Sequence, residues 1–232
     1  MRLTERCNEI LRLLKAARWL TTSQLHRRFF QQQTANAARK RLRRLAEGGY
    51  IVKVQPNRMA EALFRLGPEG KRHLERANTK TVINLDRQPP KQLEHFCGVN
   101  DMRIAAEVGL PLQYFFAYWE LPGIDWRQPI IPDAVFGVAT GRAFAVEFDR
   151  GQENIRYFTT TKLNFYRRGL DGFPLERVLI ITDRQARLES LAKAVGSTGA
   201  RVLLTRLDLI QQHGLTAPIF FESCNGQGVK LL

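Results

Sequence analysis

Three carboxylates and one lysine between residues 133 and 162 have types and spacing that suit phosphate chemistry. Glu147 and Asp149 are two residues apart in a run that predicts a strand, so both face the same side of a sheet. Asp133 lies 14 residues before Glu147 on the preceding predicted strand, across a tight turn, which lets the three carboxylates converge. Converging oxygens suit Mg²⁺, for which Asp133 and Glu147 are the predicted ligands, and such a cation can activate water beside a phosphoryl group.

The segment after these strands predicts an amphipathic helix over residues 152–168. One stripe of this helix, at spacings of three and four, consists of Ile155, Phe158, Lys162 and either Phe165 or Tyr166. A buried lysine is costly unless it is paired, so we expect Lys162 to meet Glu147 or Asp149 on the sheet. A structural ion pair and a lysine that extends to the rim of the sheet are the alternatives to a functional site.

A histidine completes the set of candidate catalytic residues. His95 begins the helix that precedes the predicted sheet, from which it could overhang the same pocket. A purely structural histidine is the alternative. The predicted catalytic set is Asp133, Glu147, Asp149, Lys162 and His95.

The net charge of +14 is concentrated in the first third of the chain. Residues 1–80 contain 19 Lys and Arg against 6 Asp and Glu, hence +13, whereas residues 81–232 contain 17 against 16, hence +1. Such a concentration predicts a polyanionic partner, chiefly nucleic acid. A membrane surface and a merely solvated basic surface are the alternatives, but the sequence has neither a visible lipid anchor nor an apolar run of roughly 18 residues.

The basic third predicts three helices, a hairpin and a closing helix, which is the order of a winged helix-turn-helix. Its third helix, predicted over residues 35–47, enters the DNA major groove in that fold. Thr34, Asn36 and Lys40 are placed to reach base edges there. The predicted phosphate contacts are Arg27, Arg28, Arg39, Arg43 and Arg44. A basic helix that only keeps a small helical domain soluble is the alternative.

The rest of the chain predicts a different architecture. Residues 91–232 favour an α/β domain with the order α-β-β-β-α-β-α-β and helices on both faces of its sheet. Residues 79–90 are polar and end in two prolines, which disfavour helix and indicate a linker. We therefore predict a winged helix-turn-helix domain over residues 1–78, this linker, and the α/β domain.

The second domain resembles a known nuclease superfamily. Its predicted order αβββαβ, with Pro-Asp at Asp133 on one strand and Glu147 on the next, is similar to that of the PD-(D/E)xK restriction-endonuclease-like proteins. Asp149 stands where that motif has its lysine, and some members carry the lysine on the next helix, where Lys162 lies. The resemblance implies a nuclease-like domain with an altered motif.

A closer resemblance covers nearly the whole chain. The runs LFRLGPEG, LEHFCGVNDMRIA, WEL, PDAVF, FAVEFDRGQENIRYFTTTKLNFYRRG and VLIITD are similar to those of the replication-relaxation family. The resemblance implies a DNA-binding protein of a bacterial plasmid or integrated mobile element, associated with replication or with mobilisation relaxosomes. It also implies that Glu-x-Asp is the family's own form of the motif, with roles for the five candidate catalytic residues.

Three functions from different classes fit these observations. The first is a DNA-binding protein that selects a sequence or a structure, with duplex DNA and other replication or relaxosome proteins as partners. The second is a Mg²⁺-dependent DNA endonuclease in which Lys162 stabilises the developing charge. The third is a transcription regulator whose second domain only dimerises or senses.

The expected compartment is the cytoplasm. The three cysteines are far apart and form no CxxC pair, which favours a reducing compartment, and the first run, MRLTERCNEI, is too polar for a secretion signal. No membrane association is expected. The sequence does not decide between a monomer and a homodimer.

Overall fold

The structure, a computed structural model, describes residues 2–57, 59–77, 85–168, 175–196, 201–222 and 228–232. They form two compact units, Met1–Asn100 and Asp101–Leu232. The boundary between these units lies inside the helix over Leu93–Gly109. Residues 79–84 of the predicted linker lie outside the described residues, so the predicted domain limits stay predictions. Within the described ranges, no helix has the length and apolar character needed to span a bilayer.

The first unit contains four complete helices and a small antiparallel sheet. Its elements are α1 (Glu5–Ala17), β1 (Trp19–Thr21), α2 (Thr22–Phe29), α3 (Ala35–Glu47), β2 (Ile51–Val54), β3 (Leu63–Leu66) and α4 (Pro68–Ala77). The three strands lie in the order β1-β3-β2. The helices and the hairpin agree with the sequence analysis, which did not anticipate β1. That strand has only three residues, and its pairing with β3, which sets Leu20 opposite Phe64, is a long-range contact.

Local side-chain chemistry determines where α2 and α3 begin and end. Thr21 caps α2 in a capping box with Gln24. Thr34 caps α3, because its hydroxyl accepts the backbone N–H of Ala37 at 3.3 Å. After α3 the chain turns at Gly49, whose φ of +70° favours glycine. The bounds of α3 match the predicted range.

The second unit contains a mixed sheet with helices on both faces. Helix α5 (Leu93–Gly109) begins in the first unit and ends in the second. The elements after it are β4 (Leu112–Ala117), β5 (Ala134–Val138), β6 (Ala143–Asp149), α6 (Ile155–Tyr157), a π-helical turn (Phe158–Lys162), α7 (Leu163–Arg168), β7 (Leu175–Thr182), α8 (Gln185–Val195), β8 (Val202–Arg206), α9 (Leu207–His213), β9 (Phe220–Glu222) and β10 (Gly228–Val229). The α/β class and the element order agree with the sequence analysis, which missed β9 and β10.

The sheet of the second unit has the strand order β10-β9-β8-β7-β6-β5-β4. Strands β6, β7 and β8 are parallel, and the remaining neighbours pair antiparallel. All seven residues of β6 are buried, because helices cover both faces of the sheet. On one face, α7 and α8 pack with Ala145 and Ile180. On the other face, Arg103 of α5 lies over Phe115, whose ring stacks on Phe136.

A glycine in α4 permits a close approach of that helix to the chain before β2, which generates a prediction. A Cβ at Gly70 would lie 2.2 Å from the carbonyl oxygen of Tyr50. We expect Gly70→Ala to destabilise the protein by about 1–3 kcal/mol, because the helix must move away from the strand that follows Tyr50. The measurement is urea unfolding. Gly123→Ala is the control, since nothing lies within 4 Å of its Cβ position, and an equal loss in both variants would contradict this packing argument.

Candidate functional site

Glu147 is a carboxylate buried in β6 of the second unit. Its residue is only 3% exposed to solvent. One carboxylate oxygen, Oε2, accepts a hydrogen bond from Lys162 Nζ at 3.0 Å, and the other, Oε1, accepts from the hydroxyl of Tyr166. The predicted meeting of Lys162 with the sheet therefore occurs, and Glu147 is the partner.

The helical segment after β6 positions both donors. Lys162 and Tyr166 are four residues apart and so lie on the same face of the segment. Phe158, four residues earlier, is completely buried, and Lys162 Nζ lies 5.7 Å from the centre of its ring. A π-helical turn over Phe158–Lys162 interrupts the helix that the sequence predicts as continuous. Such turns place one extra residue in a helical turn and are frequent at functional sites.

Asp133 lies directly beside this cluster. The sequence analysis placed Asp133 within a strand, but in the structure this residue immediately precedes β5. Because Ala134 pairs with Val146, one further step of the antiparallel register sets Asp133 opposite Glu147. Its Oδ2 accepts the backbone N–H of Phe148 at 2.7 Å, which ties the entrance of β5 to β6. Two carboxylates thus stand next to each other on one face of the sheet.

The cluster changes the protonation behaviour of its three members. Burial raises the pKa of Glu147 to about 7, and the neighbouring charge of Asp133 adds to the increase, while Lys162 and Tyr166 oppose it. Burial acts to lower the pKa of Lys162, but Glu147 and Glu153 together raise it above its ordinary value. Burial and the charge of Glu147 raise the pKa of Tyr166. Lys162 is therefore a cation and Tyr166 a neutral donor at neutral pH, where Glu147 exchanges a proton.

Asp149 belongs to a separate ion pair, so the three carboxylates do not converge as expected. Arg187 of α8 donates to Asp149 Oδ2 from Nη2 at 2.7 Å and from Nε at 3.1 Å. The same guanidinium donates to the carbonyl oxygen of Glu153 at 2.6 Å. Asp149 thereby fastens α8 and the segment before α6 to the end of β6.

These contacts allow a test of the expected magnesium site. Both oxygens of Glu147 accept from N–H or O–H donors, and Asp149 is held by Arg187. In the described ranges no group of three or more Asp, Glu, His or Cys side chains is arranged to hold a metal ion. This donor set does not fit Mg²⁺ as it stands, because a cation would first have to displace Lys162 and Tyr166 from Glu147. The metal-binding roles of Asp133 and Glu147 stay predictions.

His95 lies in the first compact unit, whereas the carboxylate cluster lies in the second. It is half-buried near the start of α5. Its assignment to the catalytic set stays a prediction from the sequence.

The predicted DNA-contacting residues lie on α2 and α3 of the first unit. In α3, Ala38, Leu42 and Leu45 are buried, as the apolar stripe predicts. The opposite faces expose Asn36, Arg39, Lys40, Arg43 and Arg44. Thr34 is exposed and caps α3. Arg27 and Arg28 of α2 are half-buried, and the Arg28 guanidinium lies 5.0 Å from the centre of the Phe29 ring.

Sequence reasoning missed part of the carboxylate cluster. The sequence left Phe165 and Tyr166 as alternatives on the stripe, and the structure places Tyr166 against Glu147. Arg187 went unnoticed because it lies 38 residues from Asp149, with no motif that joins the two positions. The signal that was available is the pair of carboxylates on one buried strand, since two buried charges require two partners.

Comparison with known proteins identifies one similarity. The family model described as replication-relaxation matches residues 11–171. Neither a curated protein nor a solved structure is significantly similar to the chain.

The raised pKa of Glu147 generates a prediction about stability and pH. In the unfolded chain Glu147 titrates near 4.5, and in the folded protein its pKa is about 7, so the folded state binds the proton more tightly. The contribution of Glu147 to the free energy of unfolding is therefore present at low pH and is lost as the pH rises from about 4.5 to 7. The original protein should lose up to about 3 kcal/mol of unfolding free energy between pH 5 and pH 8 through Glu147. We expect Glu147→Gln to avoid this loss, because glutamine does not ionise.

Urea unfolding at several pH values measures this difference. Glu153→Gln is the matched control, since Glu153 contacts the same lysine, at 3.2 Å, but is more exposed. A Glu147→Gln profile that is parallel to that of the original protein would contradict the expectation.

Proposed function

The chain belongs to the replication-relaxation family, and from this premise we propose that it is a DNA-binding protein of a bacterial plasmid or integrated mobile element. Its proposed role is in replication, in mobilisation or in the regulation of either. Family membership supports the link to replication. The proposed partner, duplex DNA, is supported by the first unit.

The exposed cationic face of α3 is the observation that carries the proposal. Asn36, Arg39, Lys40, Arg43 and Arg44 are all exposed on a helix whose opposite stripe is buried. The first unit also has the element order and the three-stranded sheet that are typical of a winged helix-turn-helix, in which this helix enters the major groove. Burial of the apolar stripe secures the helix, so the cations are available for a polyanion.

The side chains of α3 suggest different roles in a complex. Asn36 and Lys40, in its amino-terminal half, are proposed to reach base edges, where asparagine can pair with adenine. Arg39, Arg43 and Arg44 are proposed to bind phosphates, together with Arg27 and Arg28. Thr34 uses its hydroxyl as an acceptor for the helix cap, which leaves that hydroxyl one donor for DNA.

A metal-dependent nuclease is the second candidate function. It is favoured by the adjacent carboxylates of Asp133 and Glu147 and by the ammonium group of Lys162 at 3.0 Å from Glu147. The same contacts occupy both oxygens of Glu147, and a metal ion would have to displace them before it could bind. The alternative for this unit is a non-catalytic role in a transcription regulator. Cytoplasmic location, homodimer formation and contact with other replication or relaxosome proteins are further proposals.

A salt titration tests the proposed DNA contact. We expect the affinity for a duplex to fall steeply with salt, because each phosphate contact contributes about 0.9 to the slope of log affinity against log salt. Arg43→Ala and Arg44→Ala, each at a proposed phosphate contact, should each weaken binding and lower this slope by about one contact. Fluorescence anisotropy with a labelled duplex measures both quantities.

Arg12→Ala is the matched control for these variants. Arg12 is an exposed arginine of α1, in the same unit, whose guanidinium is paired with Glu5 at 2.7 Å. Equal losses for Arg12→Ala and Arg44→Ala, or binding that does not respond to salt, would count against α3 as the contact.

The nuclease hypothesis has its own test. Supercoiled and branched DNA are incubated with the protein and Mg²⁺ or Mn²⁺, and nicking is followed on gels. If the carboxylates act in cleavage, Asp133→Ala should abolish nicking, whereas Asp125→Ala should not, because Asp125 is an exposed aspartate paired with Arg127. The absence of nicking above the Asp133→Ala background would sink the nuclease hypothesis and leave DNA binding unaffected.

A further inference from the structure

A groove of about 760 Å³ lies within the first unit, between α2, α3 and the β2–β3 hairpin. Ala38 and Leu42 of α3 and Phe64 of β3 form its apolar base, where each is at most 4% exposed. Ala46 of α3 and Ala60 of the hairpin turn stand on its two walls. The volume lies within the roughly 300–1,000 Å³ that is typical of ligand sites.

Cations border this apolar base on both sides. Arg39 and Arg43 line the groove from α3, and Lys53 lines it from β2, directly across the strand pair from Phe64. Neither Arg39 nor Lys53 has an ion-pair partner in the described part of the chain, and Arg43 lies 3.5 Å from Glu47 on the exposed surface. Glu61 also lines the groove, but its carboxylate accepts the backbone N–H of Ser23. The groove therefore offers positive charge beside an apolar surface.

The groove divides the polar side chains of α3 into two sets. Arg39 and Arg43 line it, whereas Asn36, Lys40 and Arg44 do not. Arg39 and Arg43, which are proposed above to bind phosphates, can therefore hold phosphates that lie in the groove itself.

We propose that this groove binds an unpaired segment of a DNA strand. The bases would lie between the methyl groups of Ala46 and Ala60, over the narrow floor of the groove, while the phosphates would pair with Arg39, Arg43 and Lys53. A paired strand presents only sugar and phosphate to such a groove, because its bases are stacked and paired, whereas an unpaired strand presents both phosphates and apolar base faces. The inference rests on the proposed DNA-binding function and adds a preference for DNA that contains a junction between paired and unpaired strands.

The test compares a blunt duplex with the same duplex extended into an unpaired fork, by fluorescence anisotropy with the full chain. We expect the fork to bind about fourfold more tightly, in keeping with the apolar burial of about one methyl-sized group. Ala46→Leu fills the groove from α3 without a change of charge and should remove this preference. Ala60→Leu fills it from the hairpin and should do the same, which protects the test against misfolding of one variant. Ala37→Leu is the matched control, because Ala37 is an exposed residue of α3 that does not line the groove.

Each outcome decides between the groove and its competitors. Loss of the fork preference in both filled variants, with the preference kept in Ala37→Leu, supports the proposal. Equal binding of fork and blunt duplex overturns it but leaves duplex recognition by α3 intact. Equal weakening of both DNAs by the filled variants overturns it in favour of a paired strand in the groove. A free deoxynucleotide could remove the fork preference more effectively than a single-stranded oligonucleotide does. That result overturns the proposal in favour of a small-molecule site. Failure to bind any DNA overturns the proposed function as well.

Discussion

The construction of the second unit depends on a carboxylate that is removed from water. Glu147 is almost completely buried in a strand whose two faces are covered, and an ion in such a place is costly unless donors replace the lost water. Lys162 and Tyr166 replace that water, so the helical segment that carries them must lie on this face of the sheet. The polar contact thereby fixes a packing arrangement that apolar side chains alone would specify less strictly.

A second carboxylate on the same strand has the same effect on the next helix. Asp149 is held by Arg187 of α8, as Glu147 is held by Lys162 before α7. Two buried charges on β6 thus attach the two helical segments that cover one face of the sheet. Glu147 and Asp149 differ in their surroundings. Glu147 has Asp133 beside it, and its pKa is raised to about 7, mainly by burial. Of the carboxyl groups in the described chain whose pKa is shifted, only Glu147 changes its charge near neutral pH.

In the first unit, the residues of α3 that stabilise the fold and the residues that carry charge lie on different faces of the helix. The buried stripe of α3 supplies the packing, and its exposed arginines and lysine contribute little to folding. Surface cations of this kind can meet a polyanion without the loss of a structural ion pair. The groove beside α3 adds an apolar surface between cations, a combination that a solvated basic face does not require. The side chains of α3 that line the groove and those that do not are therefore two distinct sets on one helix.

The sequence by itself determined the features that depend on local pattern and charge. It predicted α3, the hairpin, the buried strands and the stripe of Lys162, because apolar periodicity and caps act over a few residues. Tertiary structure alone decided which partner each charge meets. Tyr166, and not Phe165, donates to Glu147. Arg187 pairs with Asp149, which lies 38 residues away in the sequence. Strands β1, β9 and β10 form by pairing with other strands of their sheets. Such contacts depend on where distant segments come together in space, and spacing along a single sequence does not encode that distance.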